Sequence, residues 1–235
     1  WNNQRAQQLM QLDSARLALL AEWLMQQYDS LDGAADGVIS NPAAIDFDAR
    51  RDLPRGKQGF SEREIAGLAL AYGGLEIDGR RNVPGIPLGA ESVGQKYQEG
   101  SFELARPSSA WLERVLPDAS GVVIMQQVLD EWLRYLLFET DDPTRHWRAL
   151  DVNATLPEFD AKSRLLSVRE PDLSAFKAHG GKLIIYNGWG DVGVNPYFAL
   201  DYYQQLRTST GPYTKDFARL FLVPGMFHCR GGLNV

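Results

Sequence analysis

Apolar residues recur at helical spacing in three stretches of the first two thirds of the chain. In DSARLALLAEWLMQQY the spacing predicts a helix that begins after Asp13, an expected N-cap residue. FSEREIAGLALAYGG contains the capping-box pair Ser61 and Glu64, and its helix is predicted to end at Gly73. GVVIMQQVLDEWLRYLLFE is predicted to place on one helical face Val122, Met125, Leu129, Trp132, Leu133 and Leu136. We interpret these helices, and the turn-rich stretches between them such as DGRRNVPGIPLGAE, as core and cover.

From about residue 166 the pattern changes to short apolar runs separated by helices. EPDLSAFKAHGG predicts a short helix, and KLIIY, with glycines before and after it, predicts a buried strand. NPYFALDYYQQLRTSTG predicts a helix with Asn195 as N-cap and Pro196 in its first turn, and FARLFLVPG predicts a second strand. Strand, helix and strand in this order form a βαβ unit, which is typical of parallel α/β sheets.

The composition changes this interpretation little. The 235 residues are 44% hydrophobic and 23% charged, close to an ordinary globular chain long enough for a large core. The net charge of −6 argues against binding to nucleic acid, and no apolar run approaches the ~18 residues of a membrane span. The sequence opens on Trp1 with no signal peptide, so we expect a processed chain or a fragment.

An acid and a histidine follow the two predicted parallel strands. Asp191 lies in the loop after the first strand and His228 in the loop after the second. A right-handed crossover brings both loops to the carboxyl edge of the sheet, where α/β folds build their sites. Such a pair can act as orienting acid and general base, and acid before histidine is the order in α/β-hydrolases. The alternative is an aspartate that forms a turn and a surface histidine.

The single cysteine, Cys229, directly follows His228 in LVPGMFHCRGG. One cysteine permits a buried thiol, a reactive thiol or half of an intermolecular disulfide. A catalytic Cys–His pair is also conceivable, although such pairs are normally assembled from distant positions. The residues alone leave these alternatives open.

A second candidate site follows the first predicted helix. YDSLDGAADGVISNP interleaves Asp29, Asp32 and Asp36 with Gly33 and Gly37. A short acidic loop that curls around one point can supply the oxygen ligands that Ca²⁺ prefers. The spacing is not that of an EF-hand, and the alternative is an acidic turn that holds no metal.

The segments GGKLIIYNGWGDVGVNPYFALDYYQQL and DFARLFLVPGMFHCRGG resemble the C-terminal signature of the tannase and feruloyl esterase family. The resemblance implies a secreted or periplasmic serine esterase with an α/β-hydrolase core and a large, mainly helical inserted lid. Residues 1–165 would then be the lid with its calcium loop, and 166–235 the C-terminal part of the catalytic core. By position, Asp191 resembles the triad acid and His228 the triad base.

The resemblance also gives Cys229 a role. In the family, the cysteine after the histidine forms a disulfide with a cysteine that directly precedes the nucleophilic serine. This sequence has no G-x-S-x-G elbow and no other cysteine. The partner of Cys229 and the serine are therefore expected on a second polypeptide segment that lies outside this chain.

The acidic loop matches the family's calcium loop, D-x-x-D-G-x-x-D-G-(V/I)-I. The resemblance implies that Ca²⁺ is bound by the carboxylates of Asp29, Asp32 and Asp36 and by the carbonyls of Ala34 and Val38, in a structural role. The chain departs from the family's usual residues at Tyr28, Asn187 and Phe227.

Together these features predict a carboxylic-ester hydrolase that works by acyl transfer through a serine. The resemblance implies a small aromatic or phenolic ester as substrate. No patch of alternating aromatic and basic residues indicates nucleic acid as a partner, and no apolar run indicates a membrane. Two alternatives stay open: a catalytically silent calcium-binding scaffold or partner chain of the same fold, and another α/β-hydrolase such as a peptidase or lactonase. His146 and His179 are interpreted as helix-end or surface residues.

Overall fold

The computed structural model describes residues 2–77, 80–92, 94–97, 104–108, 110–111, 115–116, 123–138, 140–168, 170–228 and 231–233. Its α-helices are α1 (Asn2–Met10), α2 (Ser14–Tyr28), α3 (Ala49–Asp52), α4 (Glu62–Gly73), α5 (Ile124–Trp132), α6 (Leu156–Leu166), α7 (Ser174–Ala178) and α8 (Pro196–Thr210). Its strands are β1 (Leu75–Ile77), β2 (Arg80–Val83), β3 (Gly94–Tyr97), β4 (Leu104–Ser108), β5 (Leu183–Gly188) and β6 (Ala218–Val223). None of the helices built from these residues has the length and apolar character needed to cross a bilayer.

The predicted helix starts are confirmed. The Asp13 carboxylate accepts a backbone N–H in the first turn of α2, at 2.8 Å. Ser61 and Glu64 form a complete capping box at the start of α4, and α4 ends at Gly73. Asn195 caps α8, with Pro196 in its first turn. Each of these signals involves residues at most four positions apart, which is why the sequence alone predicts them.

The main core lies between α1, α2 and α4. The predicted apolar face of α2 is buried through Leu17, Leu20 and Leu24. The sequence analysis missed α1. The stretch NNQRAQQLM contributes only Ala6 and Met10 to the apolar core, so its apolar residues show no clear helical spacing. α1 approaches α4 closely at Gly67, where a Cβ would lie 2.6 Å from the Cβ of Met10.

The third predicted helix is confirmed over α5, but its predicted apolar face is wrong at the end. The chain continues as a π-helical turn, Leu133–Leu137. A π-turn carries one more residue than an α-turn, so the residue that faces inward shifts by one. Leu137 is therefore buried beside Leu133 and Trp147, whereas Leu136 is 50% exposed. Val122, also predicted on this face, lies outside the described residues.

The prediction of helices and loops alone for the first two thirds of the chain is also wrong. Strands β1 and β2 form one antiparallel hairpin, and β3 and β4 form another. These strands have three to five residues each. Runs this short, with sequences such as RRNV and LARPS, give no clear alternation of apolar and polar residues.

The βαβ unit is confirmed. β5 and β6 are parallel in a two-stranded sheet, with Leu183 opposite Ala218 and Gly188 opposite Val223, and α8 connects them. The side chain of Leu206 in α8 is fully buried against Ala218 and Phe217, so α8 covers one face.

The opposite face of this sheet is open in the described part of the chain. Three apolar side chains on it are more than half exposed: Ile184, Tyr186 and Phe221. The prediction that KLIIY is a buried strand is therefore wrong for this face. Parallel sheets are normally covered on both faces, and these residues supply cover for only one.

Candidate active site

Two loops leave the sheet at the same edge and are joined by backbone hydrogen bonds. The strands end in register, because Gly188 pairs with Val223. The N–H of Trp189 donates to the carbonyl of Val223, and the N–H of Gly190 donates to that of Met226, both at 2.9 Å. The loop after β5 therefore lies directly against the loop after β6.

Glycine at position 188 permits this close approach. A Cβ on Gly188 would lie 2.1 Å from the carbonyl oxygen of Met226, which is shorter than any real contact of that kind. A side chain there would have to push the two loops apart. Glycine is therefore needed at position 188 for a steric reason, which is independent of the carboxylate of Asp191.

The carboxylate of Asp191 is held in one orientation. The side chain is 3% exposed. Its Oδ1 accepts the backbone N–H groups of Gly193 and Val194, both at 2.8 Å. Its Oδ2 lies 2.9 Å from Nδ1 of His228. One oxygen therefore fixes the carboxylate to its own loop while the other contacts the imidazole.

The imidazole of His228 has one nitrogen engaged and one available. An ionised carboxylate only accepts hydrogen bonds, so Nδ1 of His228 carries the proton and donates it to Asp191. The side chain is 42% exposed, and Nε2 has no hydrogen-bond partner among the described residues. A neutral ring in this tautomer offers the lone pair of Nε2 as a base. The juxtaposition expected from the chain order is thus present, and Cys229, the next residue, lies outside the described residues.

The loop that carries Asp191 is tied to a distant segment by Asn195. The side-chain amide of Asn195 donates to the carbonyl of Gly85 at 2.8 Å and to that of Pro84 at 3.3 Å. Its Oδ1 accepts the N–H of Tyr197, which is the capping bond of α8. The sequence predicts the cap but gives no signal for the contact to residues 84–85, because the partners lie 110 and 111 positions away.

The amide of Asn187, a departure from the family's usual residue, also contacts this loop. Its Nδ2 lies 3.3 Å from the carbonyl oxygens of both Gly188 and Val194. The side chain therefore spans the two ends of the turn that contains Asp191.

Two of the three carboxylates of the acidic loop converge on one backbone group, because Oδ1 of Asp29 and Oδ1 of Asp36 both accept the N–H of Val38, at 3.0 and 3.1 Å. Asp29 Oδ1 accepts the N–H groups of Gly37 and Val38, both at 3.0 Å, and Asp32 Oδ1 accepts that of Ala34 at 2.9 Å. Within the part of the chain that is described, no group of three or more His, Cys, Asp or Glu side chains is arranged to hold a metal ion.

The donor set of this loop nevertheless suits a hard cation. Gly33 and Gly37, both with positive φ, turn the backbone between the three carboxylates, and Asp32 and Asp36 are exposed. A hydrogen bond from the Ser40 hydroxyl lowers the pKa of Asp32, so this carboxylate is ionised at neutral pH. Calcium binding by this loop remains a prediction.

The sequence analysis missed a buried carboxyl group. Glu91 is 1% exposed, and its Oε1 accepts the N–H of Gly89 at 3.2 Å. Burial raises the pKa of Glu91 to about 7. A single glutamate in a glycine-containing turn normally reads as a surface residue, so the sequence offers no signal for its burial.

His146 and His179 lie at helix ends, as interpreted from the sequence. His146 Nε2 lies 3.3 Å from Oδ2 of Asp130, and His179 Nδ1 lies 2.7 Å from the carbonyl oxygen of Ala175. His146 caps a short 3₁₀ helix, and His179 is the C-cap residue of α7. In the described part of the chain, neither histidine contacts Asp191 or His228.

The fold of the chain matches that of solved fungal esterases. The structure superposes on feruloyl esterase B from Aspergillus oryzae with a TM-score of 0.75 and 19% sequence identity, over 97% of this chain and 44% of that one. It superposes on tannin acyl hydrolase from Aspergillus niger with a TM-score of 0.67 and 17% identity, over 97% of this chain and 44% of that one. At these identities the likeness establishes the fold alone.

The chain belongs to the tannase and feruloyl esterase family, whose model matches residues 2–234. It is 29% identical over 252 residues to mono(2-hydroxyethyl) terephthalate hydrolase from Piscinibacter sakaiensis, covering 93% of this chain and 40% of that protein. It is 27% identical over 220 residues to a probable feruloyl esterase from Arthroderma benhamiae, covering 88% of this chain and 37% of that protein. The chain thus spans about two fifths of the length of these relatives.

Proposed function

We propose that this chain is part of a carboxylic-ester hydrolase that works by acyl transfer through a serine. His228 acts first as general base and then as general acid, and Asp191 orients it. The observation that supports this most directly is the 2.9 Å contact between Asp191 Oδ2 and His228 Nδ1 in a family of esterases. Residues 1–165 form the lid and 166–235 the C-terminal part of the core.

The serine comes from a polypeptide segment outside these 235 residues. The sequence contains no G-x-S-x-G elbow, and the chain spans 40% of a hydrolase to which it is similar along almost its whole length. Cys229 forms a disulfide with a cysteine next to that serine, which keeps base and nucleophile in register. The open sheet face next to Tyr186 is compatible with further secondary structure from that segment.

The substrate is a small aromatic or phenolic ester. The names of the relatives, a terephthalate monoester hydrolase and a probable feruloyl esterase, both describe esters of aromatic acids. The enzyme is secreted or periplasmic, because the disulfide and the calcium loop proposed for it are typical of proteins that leave the cytoplasm.

The test combines intact mass with an ester panel. We expect reducing agent to release a second segment from native material, and that segment to contain the Cys-Ser pair. Before reduction, the material should hydrolyse p-nitrophenyl and methyl esters of hydroxycinnamic and hydroxybenzoic acids but not peptides.

Each outcome of this test separates the proposal from an alternative. A mass equal to this chain alone, unchanged by reduction, together with no ester turnover, would support the catalytically silent scaffold. Turnover of peptides or lactones without turnover of aromatic esters would replace the esterase by another α/β-hydrolase.

The calcium loop is tested by thermal unfolding. We expect a chelator to lower the melting temperature by about 5–10 °C, because a ligand present at ~100 times its Kd stabilises by about 2.7 kcal/mol. The variant Asp32→Ala should lose this dependence, whereas Asp160→Ala, which removes an exposed carboxylate from α6, should keep it. An identical chelator response in both variants, or no bound calcium by elemental analysis, would remove the site.

A further inference from the structure

A long groove runs along the C-terminal half of α8. Its wider part has a volume of about 950 Å³ and lies between α8, the 3₁₀ turn Gly211–Asp216 and the first residues of β6. A second cavity of about 490 Å³ shares Tyr203, Gln204 and Arg207 with the first. The two cavities therefore form one continuous depression.

The wider part of the groove is basic although the whole chain is acidic. Arg207, Lys215 and Arg219 line it, and all three are exposed. Among its described lining residues there is no Asp or Glu, while the chain carries a net charge of −6. Arg219 donates to the carbonyl of Ala218 at 3.1 Å, and the described residues provide no ion pair for any of the three cations. Cations gathered without carboxylates favour an anionic ligand.

The neutral groups of the groove suit a sugar. Tyr203 presents an aromatic ring that is held in place by the bond from its hydroxyl to the carbonyl of Ala218, at 3.3 Å. Gln204 and Thr208 add an amide and a hydroxyl on the exposed side of α8. Such groups donate to and accept from hydroxyls, and an aromatic ring offers an apolar face to the C–H groups of a sugar ring.

The groove leads towards the candidate active site. Its narrower part passes Leu220 and Leu222 on β6 and reaches Trp189. Trp189 begins the loop that contains Asp191, and its N–H is bonded to Val223 at the carboxyl end of β6. The depression therefore extends from the start of β6, where Arg219 lies, to the edge where the Asp–His pair is found.

We propose that this groove binds an anionic oligosaccharide, a short chain of uronic acid residues whose carboxylates contact Arg207, Lys215 and Arg219. Guanidinium and ammonium groups spread along a groove match singly charged carboxylates spaced along a sugar chain. The proposed binding of the sugar depends only on the groove. That the sugar also carries the ester bond to be cleaved rests on the proposed esterase function.

The experiment measures binding by calorimetry, with tetragalacturonate as probe and with cellotetraose and inorganic phosphate as comparison ligands. We expect tetragalacturonate to bind, with an affinity that falls as salt is raised. The double variant Arg207→Gln/Arg219→Gln should bind it at least about tenfold more weakly, because it removes two charge-assisted hydrogen bonds to the carboxylates of the sugar. The control Lys57→Gln/Arg164→Gln removes the same charge from exposed positions outside the groove and should bind like the parent.

Three outcomes would overturn the proposal: equal binding of cellotetraose, binding of phosphate but not of tetragalacturonate, or equal weakening in both double variants. Since the altered arginines are exposed, we expect unchanged melting temperatures, and Lys215→Gln provides an independent single variant if the double variant unfolds. The readout is binding and needs no serine. Its failure would therefore leave the esterase proposal intact, and loss of the esterase proposal would leave the groove intact.

Discussion

Replacing Asp191 by Asn is expected to lower kcat for aromatic esters by about 10³–10⁴-fold in enzyme that contains this chain and the serine segment. Oδ1 of the new side chain can still accept the N–H groups of Gly193 and Val194, so the loop keeps its shape. The amide nitrogen, however, would face Nδ1 of His228 as a donor. The ring would then place its proton on Nε2, where the base is needed.

The matched control is Asp201→Asn, which removes the same charge from an exposed position on α8. We expect its kcat to remain within about twofold of the parent, and the melting temperatures of both variants to stay close to that of the parent. The measurement is steady-state hydrolysis of an aromatic ester, with thermal unfolding in parallel. If Asp191→Asn kept more than a tenth of the parent kcat, the orienting role of Asp191 would be excluded.

The second large effect concerns Glu91 and pH. Burial raises the pKa of its carboxyl group to about 7 from an ordinary value of 4.5. The folded state therefore favours the protonated carboxyl, and this contribution to stability is fully present below about pH 4.5 and lost as pH rises through 7. The difference of about two and a half units corresponds to about 3 kcal/mol in the free energy of unfolding.

We expect Glu91→Gln, which keeps the neutral shape, to remove this part of the pH dependence. Denaturant unfolding at pH 5 and pH 8 should show a fall in stability for the parent that is about 2.5 kcal/mol larger than for the variant, because part of the loss has already occurred at pH 5. Glu76→Gln, at an exposed position in β1, should behave like the parent. Equal pH dependence in the parent and in Glu91→Gln would mean that ionisation of the buried carboxyl does not lower the free energy of unfolding.

Local signals predicted the parts of this fold that depend on near neighbours. The caps at Asp13, Ser61 and Asn195 are set by residues within a single turn, so sequence alone places these helix starts correctly. The parallel arrangement of β5 and β6 was also predictable, because a helix between two neighbouring strands returns the chain to the edge of the sheet where the first strand began. The meeting of Asp191 and His228 follows from that geometry and from their chain order.

The features that were missed or wrongly predicted depend on distant parts of the chain or on a small change of helix type. The π-turn moves burial from Leu136 to Leu137, and no residue in DEWLRYLLFE marks that change. The burial of Glu91 depends on packing by segments far away in sequence, and so does the contact of Asn195 with residues 84–85. The open face of β5 reflects how much of a sheet these residues supply, which local pattern does not reveal.

The contact made by Asn195 limits which segments of this chain can be exchanged with those of its relatives in a chimeric protein. The amide is the only side chain in the contact, since both acceptors are backbone carbonyls. A chimera can therefore change residue 84 and still keep the contact, provided that the backbone follows the same path, but position 85 must stay glycine, because a Cβ there would overlap the backbone carbonyl of Tyr72. Suppose that a chimera takes the β5–α8 connection from a relative without an amide at position 195. The carbonyls of residues 84 and 85 then lose their hydrogen bonds to this side chain, and α8 loses its capping bond.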